Sequence, residues 1–299
     1  MVNFIKSSAP NTRVFRLLCQ ELDIEHQNLL FCTEVRWLSR GNMLSRVYSL
    51  KNELLEFFER DGKEKSKVFF DKLSDKEWLK KLAYLNDIFF SRINLLNKSL
   101  QGRFTTVIDC VDKIRAFIMK LELWEAKLTV GKFDFFESLS ATLGEEGTTD
   151  QSIGALVKAH LSAMRNEFQT YFPDLSDLDM KMIRNPFRCD VSSIPDRVQE
   201  EFVELVNDSI ARDQFETLAL TKFWCEMSLI YPNVADRAVK ILLMFPSTYL
   251  CEQGFSALLL IKNKFRARLS VEADLRLALS KTVPRIDSLI HNMQAHPSH

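Results

Sequence analysis

Apolar positions recur at helical spacing along most of this chain. Val14, Leu17, Leu18 and Leu22 follow Asn11-Thr12 and predict a helix over residues 12–22. From Gly41 onward Leu44, Val47, Tyr48, Leu54, Leu55 and Phe58 fall on one face, and the charged stretch Glu59 to Lys67 then reads as a solvent-exposed turn. Leu79, Leu82, Ile88, Phe89, Ile93 and Leu96 predict a second long helix. Val107, Ile108, Val111, Ile114, Phe117, Ile118 and Leu121 predict a third. Past the loop at 144–150, a fourth carries Ile153, Val157, His160, Leu161, Met164, Phe168 and Tyr171. His160 has no obvious partner on that apolar stripe and reads as a structural histidine rather than a ligand.

Two stretches depart from this period. Leu29 to Trp37 is a short apolar run with β-branched and aromatic members, the best strand candidate in the chain. A lone strand cannot satisfy its own backbone groups, so this reading needs a partner. Between Phe172 and Asp196 the chain holds three prolines and loses its period, which predicts a long connection and a subdomain seam. Val198, Phe202, Val203, Leu205 and Val206 restart a helix that is rich in Glu on its other face, and Phe223-Trp224 falls in the next. Tyr231-Pro232-Asn233 breaks the chain before the apolar run Ile241 to Phe245, which ends at Pro246.

Composition supports a helical reading. In 299 residues there are only 8 Gly and 8 Pro but 23 Phe, which fits long helices better than a turn-rich β fold. Lys and Arg total 40 and Asp and Glu total 40, so any nucleic-acid surface must be local. No apolar run reaches the roughly 18 residues of a membrane span, and the first residues form no signal-peptide pattern. Cys19, Cys32, Cys110, Cys189, Cys225 and Cys251 lack CxxC or CxxH spacing and read as reduced thiols of an intracellular protein. Three of the five histidines lie in the last nine residues, a poor basis for a zinc site.

Candidate chemistry is sparse. There is no phosphate-cradling glycine loop, GxSxG or HExxH, so nucleophilic catalysis is unsupported. Glu145-Glu146 and Glu200-Glu201 read as solvated charge. Arg36-Trp37, with Arg40 nearby, offers an indole to stack on an unpaired base and guanidinium groups to hold phosphate; a Trp closing a core edge is the competing reading. Near the C-terminus, Glu252 heads a helical segment followed by Lys262, Lys264, Arg266 and Arg268. In a helix Lys262 pairs with Arg266 and Lys264 with Arg268 at i,i+4, making two columns of cations. Such a face either meets phosphates or is simply solvated.

Three motifs occur in order: Phe31-Cys32-Thr33-Glu34-Val35-Arg36-Trp37-Leu38-Ser39-Arg40-Gly41, Ile183-Arg184-Asn185-Pro186-Phe187 and Cys251-Glu252-Gln253-Gly254-Phe255-Ser256. Together they resemble hAT-superfamily DNA transposases, most closely the domesticated, transposase-derived proteins of the BED zinc-finger type, over essentially the whole chain. The resemblance implies an RNase H-like domain split by an all-α insertion, with two aspartates and one glutamate binding two Mg²⁺ ions for strand cleavage. By motif, Glu252 matches the glutamate. Arg36-Trp37 matches the motif where the last core strand enters the insertion, whose Trp stabilises a flipped base in active members. In the family both aspartates, the BED finger and most core strands precede the helix matching residues 12–22. This chain therefore reads as lacking two of three metal ligands, with residues 29–37 as the edge strand of an incomplete sheet.

The expected fold is mostly α, a helical insertion domain flanked by remnants of an RNase H-like α/β core. The expected boundaries are a core remnant at 1–40, an all-α insertion at 41–214, and a C-terminal dimerisation region with the last RNase H-like helix at 215–299. The expected function is that of a catalytically incomplete, transposase-derived protein acting in dimerisation or protein interaction, and not an enzyme. The alternatives are a residual DNA binder using Arg36, Trp37, Arg40, Lys262, Lys264, Arg266 and Arg268, and a fragment of an active transposase that needs an upstream segment. No cofactor is expected, Mg²⁺ entering only with a complete triad. Expected partners are a second copy or a related transposase-derived protein, and DNA; no membrane is expected. The expected location is nuclear or cytoplasmic, the resemblance favouring the nucleus.

Overall fold

The computed structural model describes residues 1–22, 29–30, 37–102, 104–144, 151–173, 178–262, 270–280, 283 and 285–292. Every regular element among them is helical, so the chain is mostly α. It divides into two compact units, Met1–Gln101 with Thr105–Pro246, and Ser247–His299 with Gly102–Phe104.

The first unit opens with α1 (Val2–Lys6) and α2 (Ala9–Glu21). The Ser8 side chain caps α2 by accepting from the Asn11 N–H at 3.4 Å, and Pro10 stands in the first turn, where a missing N–H costs nothing. The face that α2 buries is Phe15, Leu18 and Cys19, while Val14 and Leu17 stay exposed. Both faces have helical spacing; the large Phe15 ring decides, meeting Phe57 edge to face at 5.6 Å.

Of the expected strand, residues 31–36 lie outside the described residues. Its last member, Trp37, is not in a strand but is the first residue of α3 (Trp37–Ser49). α4 (Lys51–Asp61) and α5 (Glu64–Ser74) replace the exposed turn expected over 59–67. The break is confined to Gly62 and Lys63, and the φ of 61° at Gly62 ends α4 in the left-handed region that a glycine adopts without a Cβ penalty. Ser66, in the middle of that charged stretch, is buried and donates to the Asp61 carboxylate at 2.5 Å. Leu54, Phe57, Phe58 and Leu73 pack with Ile5, Phe15 and Leu18 into an aromatic-rich core.

α6 (Lys76–Leu85), a π-helical stretch (Asn86–Ile93) and α7 (Asn94–Leu100) follow one another directly. Two consecutive residues of the π stretch address the start of α9 (Glu137–Leu143). The Asp87 carboxylate accepts from the N–H groups of Ser138 at 3.1 Å and Leu139 at 2.9 Å, and Asn86 Nδ2 donates to Ser138 Oγ at 2.8 Å. These bonds satisfy amides that a helix leaves without intrahelical partners at its N-terminus. Burial pushes the Asp87 carboxyl above the usual range in spite of those donors.

α8 (Val107–Thr129) begins in a reciprocal capping box between Thr106 and Asp109. Its Phe117, Leu121, Trp124 and Leu128 form the central core with Tyr84, Phe136, and Ile153, Val157 and Leu161 of α10 (Gln151–Tyr171). His160 has a partner after all: its Nδ1 lies 2.7 Å from the Tyr84 hydroxyl, and burial lowers its pKa.

The stretch expected to be irregular is organised. α11 (Leu178–Arg184) places Met182 and Ile183 at 0% exposure, and two 3-10 turns follow, Pro186–Arg188 and Val191–Ser193. α12 (Asp196–Asn207), α13 (Ser209–Thr217), α14 (Leu220–Met227) and α15 (Pro232–Leu242) complete the unit. Trp224 Nε1 donates to the Ile183 carbonyl at 2.9 Å in the midst of Phe202, Leu205 and Phe223. Glu201, read above as solvated charge, caps α15 by accepting from the Val234 N–H at 2.7 Å. Asp208 caps α13 and accepts from the Tyr231 hydroxyl at 3.0 Å; these bonds hold its carboxyl below the usual range.

The second unit contains α16 (Tyr249–Ile261), α17 (Glu272–Leu279) and α18 (Ile286–Asn292). None of its described residues is buried.

Two outcomes test this packing. A Cβ at Gly41 would lie 2.4 Å from Nδ2 and 2.9 Å from Cγ of the buried Asn94. Gly41→Ala, which in an open helix would stabilise, should instead cost about 1–3 kcal/mol in urea unfolding, and adding Asn94→Ala should recover part of that loss. For His160 the folded pKa lies below the ordinary 6.5, so the unfolded chain takes up its proton first. Stability should therefore be fully present above about pH 6.5 and fall as pH drops below it, and His160→Gln should flatten that part of the urea-midpoint profile.

Candidate functional site

α16 is the element that carries the matched glutamate. Eight of its thirteen residues are Tyr, Leu, Cys, Phe or Ile, and the run Leu258-Leu259-Leu260-Ile261 has no polar interruption. Helix formation is favoured by its leucines, while Gly254 in its middle weakens it by about 1 kcal/mol relative to alanine. A Cβ at Gly254 would meet Leu279 Cδ1 at 3.7 Å, ordinary contact, so this glycine answers no steric demand from α17.

Glu252 stands in the first turn, exposed to solvent. Its Oε1 accepts from Thr248 Oγ1 at 3.1 Å, and its backbone N–H donates to the Thr248 carbonyl at 2.8 Å. This is a carboxylate near the positive end of a helix, held by the preceding turn, and that placement alone stabilises it. Gln253 Nε2 donates to the Tyr249 hydroxyl at 2.9 Å and Ser256 Oγ to the Glu252 carbonyl at 2.9 Å, so the polar members of the motif bond along their own helix.

Two Mg²⁺ ions bridged by carboxylates need several hard oxygen donors converging on one point. Among the described residues no three His, Cys, Asp or Glu side chains come together in a way that could hold a metal. The described residues around Glu252 therefore do not fit the two-ion group.

α16 ends at Ile261, and Lys262, which follows it, is extended, with φ −101° and ψ 103°. Lys264, Arg266 and Arg268 lie outside the described residues, as do Arg36 and the Trp37 side chain. Arg40 is half-buried in the first turns of α3. Trp37 and Arg40 belong to the first unit and Glu252 and Lys262 to the second.

What the candidate list missed is the apolar surface of the second unit. Phe255, Leu259 and Leu260 on α16 are 66%, 75% and 84% exposed, and α17 and α18 expose Leu277, Ile286 and Ile290. A one-sided helix needs a stripe of about 100°, and the unbroken run at 258–261 already exceeded it, which was the available signal.

Cys19, Cys110, Cys189, Cys225 and Cys251 are free thiols; Cys32 lies outside the described residues. Burial pushes Cys19 up to about 11, which makes it a poor nucleophile. No helix among the described residues is long and apolar enough to cross a membrane.

Residues 1–129 match the family model described as the FAM200/GTF2IRD2 helical domain, a transposase-derived domain. The matched span runs from the start of the chain to the last residue of α8 and includes Arg36-Trp37 but not Glu252. No solved structure matches the chain.

Proposed function

We propose that this chain is a transposase-derived interaction protein of the hAT type that self-associates through its C-terminal unit and does not cut DNA. The observation that carries this reading is the apolar surface of α16 and α17, where Phe255, Leu259, Leu260 and Leu277 stand more than half exposed. Burying each such side chain is worth about 1.5–3 kcal/mol, so a unit that buries none of its described residues gains its main stabilisation from a partner. A second copy presents the same patch, which is what a two-fold, self-complementary interface requires. The transposase-derived match over 1–129 supports the wider reading of a domesticated mobile-element protein.

Size-exclusion chromatography with light scattering should give at least a dimer at micromolar concentration. The double variant Leu259→Glu, Leu260→Glu should shift it to monomer while leaving far-UV circular dichroism nearly unchanged. A strict monomer across that range for the unmodified chain would sink self-association. Incubation of supercoiled plasmid with the protein and Mg²⁺ should leave it uncut; nicking that disappears in Glu252→Gln would overturn the non-catalytic part of the reading.

A further inference from the structure

A groove of about 510 Å³ lies in the first unit between α8 on one side and the π stretch with α7 on the other. Its rim is aliphatic and exposed: Leu95 of α7 is 60% exposed and Leu123 of α8 is 49% exposed. Its charge is all of one sign. Arg92, Lys113 and Lys120 line it, and no Asp or Glu is among its described lining residues. In a chain of zero net charge this is a local excess with a structural cause. The acids of α8 are engaged elsewhere, Asp112 with Arg184, and Glu122 and Glu125 with Arg165 at 3.8 and 3.7 Å.

The cations divide into two kinds. Arg92 builds the wall: its guanidinium lies 5.3 Å from the Trp124 ring centre and donates to the Phe135 carbonyl. Lys113 and Lys120 sit on the groove side of α8, seven residues and hence two turns apart, roughly 10 Å along the axis; Lys113 spends one of its three donors on the Ser99 carbonyl, and Lys120 is exposed. One carboxylate or phosphate cannot reach both unless the two side chains bend toward each other. A ligand with two acidic groups about 10 Å apart and aliphatic bulk between them can, and an α-helix with acids at i and i+7 and leucines on the same face has that layout. A nucleic acid fits less well, because Phe117 and Trp124 are 5% and 4% exposed and Arg92 covers the indole, which leaves the half-buried Phe135 as the one lining ring for a base to meet.

We propose that this groove docks an acidic amphipathic helix of a partner protein, its carboxylates on Lys113 and Lys120 and its apolar face on Leu95 and Leu123. The site is separate from the self-association surface and does not depend on it.

The test is fluorescence anisotropy of the full chain with a labelled designed helix that carries Glu at i and i+7 and leucines between them. Lys120→Glu and the double variant Lys113→Glu, Lys120→Glu should each weaken binding, the double by about tenfold or more. A peptide with Lys in place of both Glu residues should bind the double variant and not the unmodified chain. Equal affinity for the Gln version of the peptide, no binding by the unmodified chain, or displacement of the peptide by a single-stranded oligonucleotide acting through the same two lysines would each overturn the proposal. Because Lys120 is exposed, Lys120→Glu keeps the test decisive if the double variant fails to fold.

Discussion

Burial of one stripe on α8 is the constraint on which the first unit depends. A helix of 23 residues cannot be covered by one neighbour, and α8 is covered by two different sets. At its head Ile108 enters the cluster of Trp224, Phe202 and Val234; further along, Phe117, Leu121, Trp124 and Leu128 enter that of Tyr84, Phe136 and Leu161. The helix is thus the shared wall of two cores, and its outward face is the only part free to vary in polarity. That is why the lysines of the groove can stand there without disturbing either core.

The two units follow opposite rules. In the first, three polar groups are bound into the packing: Asp87 caps α9, Glu201 caps α15, and the Trp224 indole bonds the Ile183 carbonyl. In the second, leucines and a phenylalanine face solvent while the polar side chains of the motif bond along their own helix. The Glu252 carboxylate, on the second kind of element, is bonded by Thr248 of its own helix turn. The location of Glu252 is a more informative fact about it than its identity.

Much of the helical framework was legible from periodicity, because long amphipathic stretches such as 107–129 and 151–171 repeat one pattern many times. Local competition was not legible. On α2 two faces share helical spacing, and only the distant Phe57 selects Phe15 over Val14. A break that reads as a nine-residue charged stretch is only Gly62 and Lys63, since Ser66 finds Asp61 and goes inside. The π stretch has no sequence period of its own, and the partner of His160 is 76 residues away. Of the candidate site, Glu252 was found on a helix as expected, while of the basic columns only Lys262, just past the end of α16, lies among the described residues. Trp37, expected to close a strand, opens a helix.

The unburied C-terminal unit also has a calorimetric consequence. The heat-capacity increase on unfolding scales with apolar surface newly exposed to water. Where much of that surface is already wet, melting adds a smaller heat-capacity increment with less cooperativity. The described helices after Ser247 should therefore add less to the increment per residue than those of Met1–Gln101 and Thr105–Pro246.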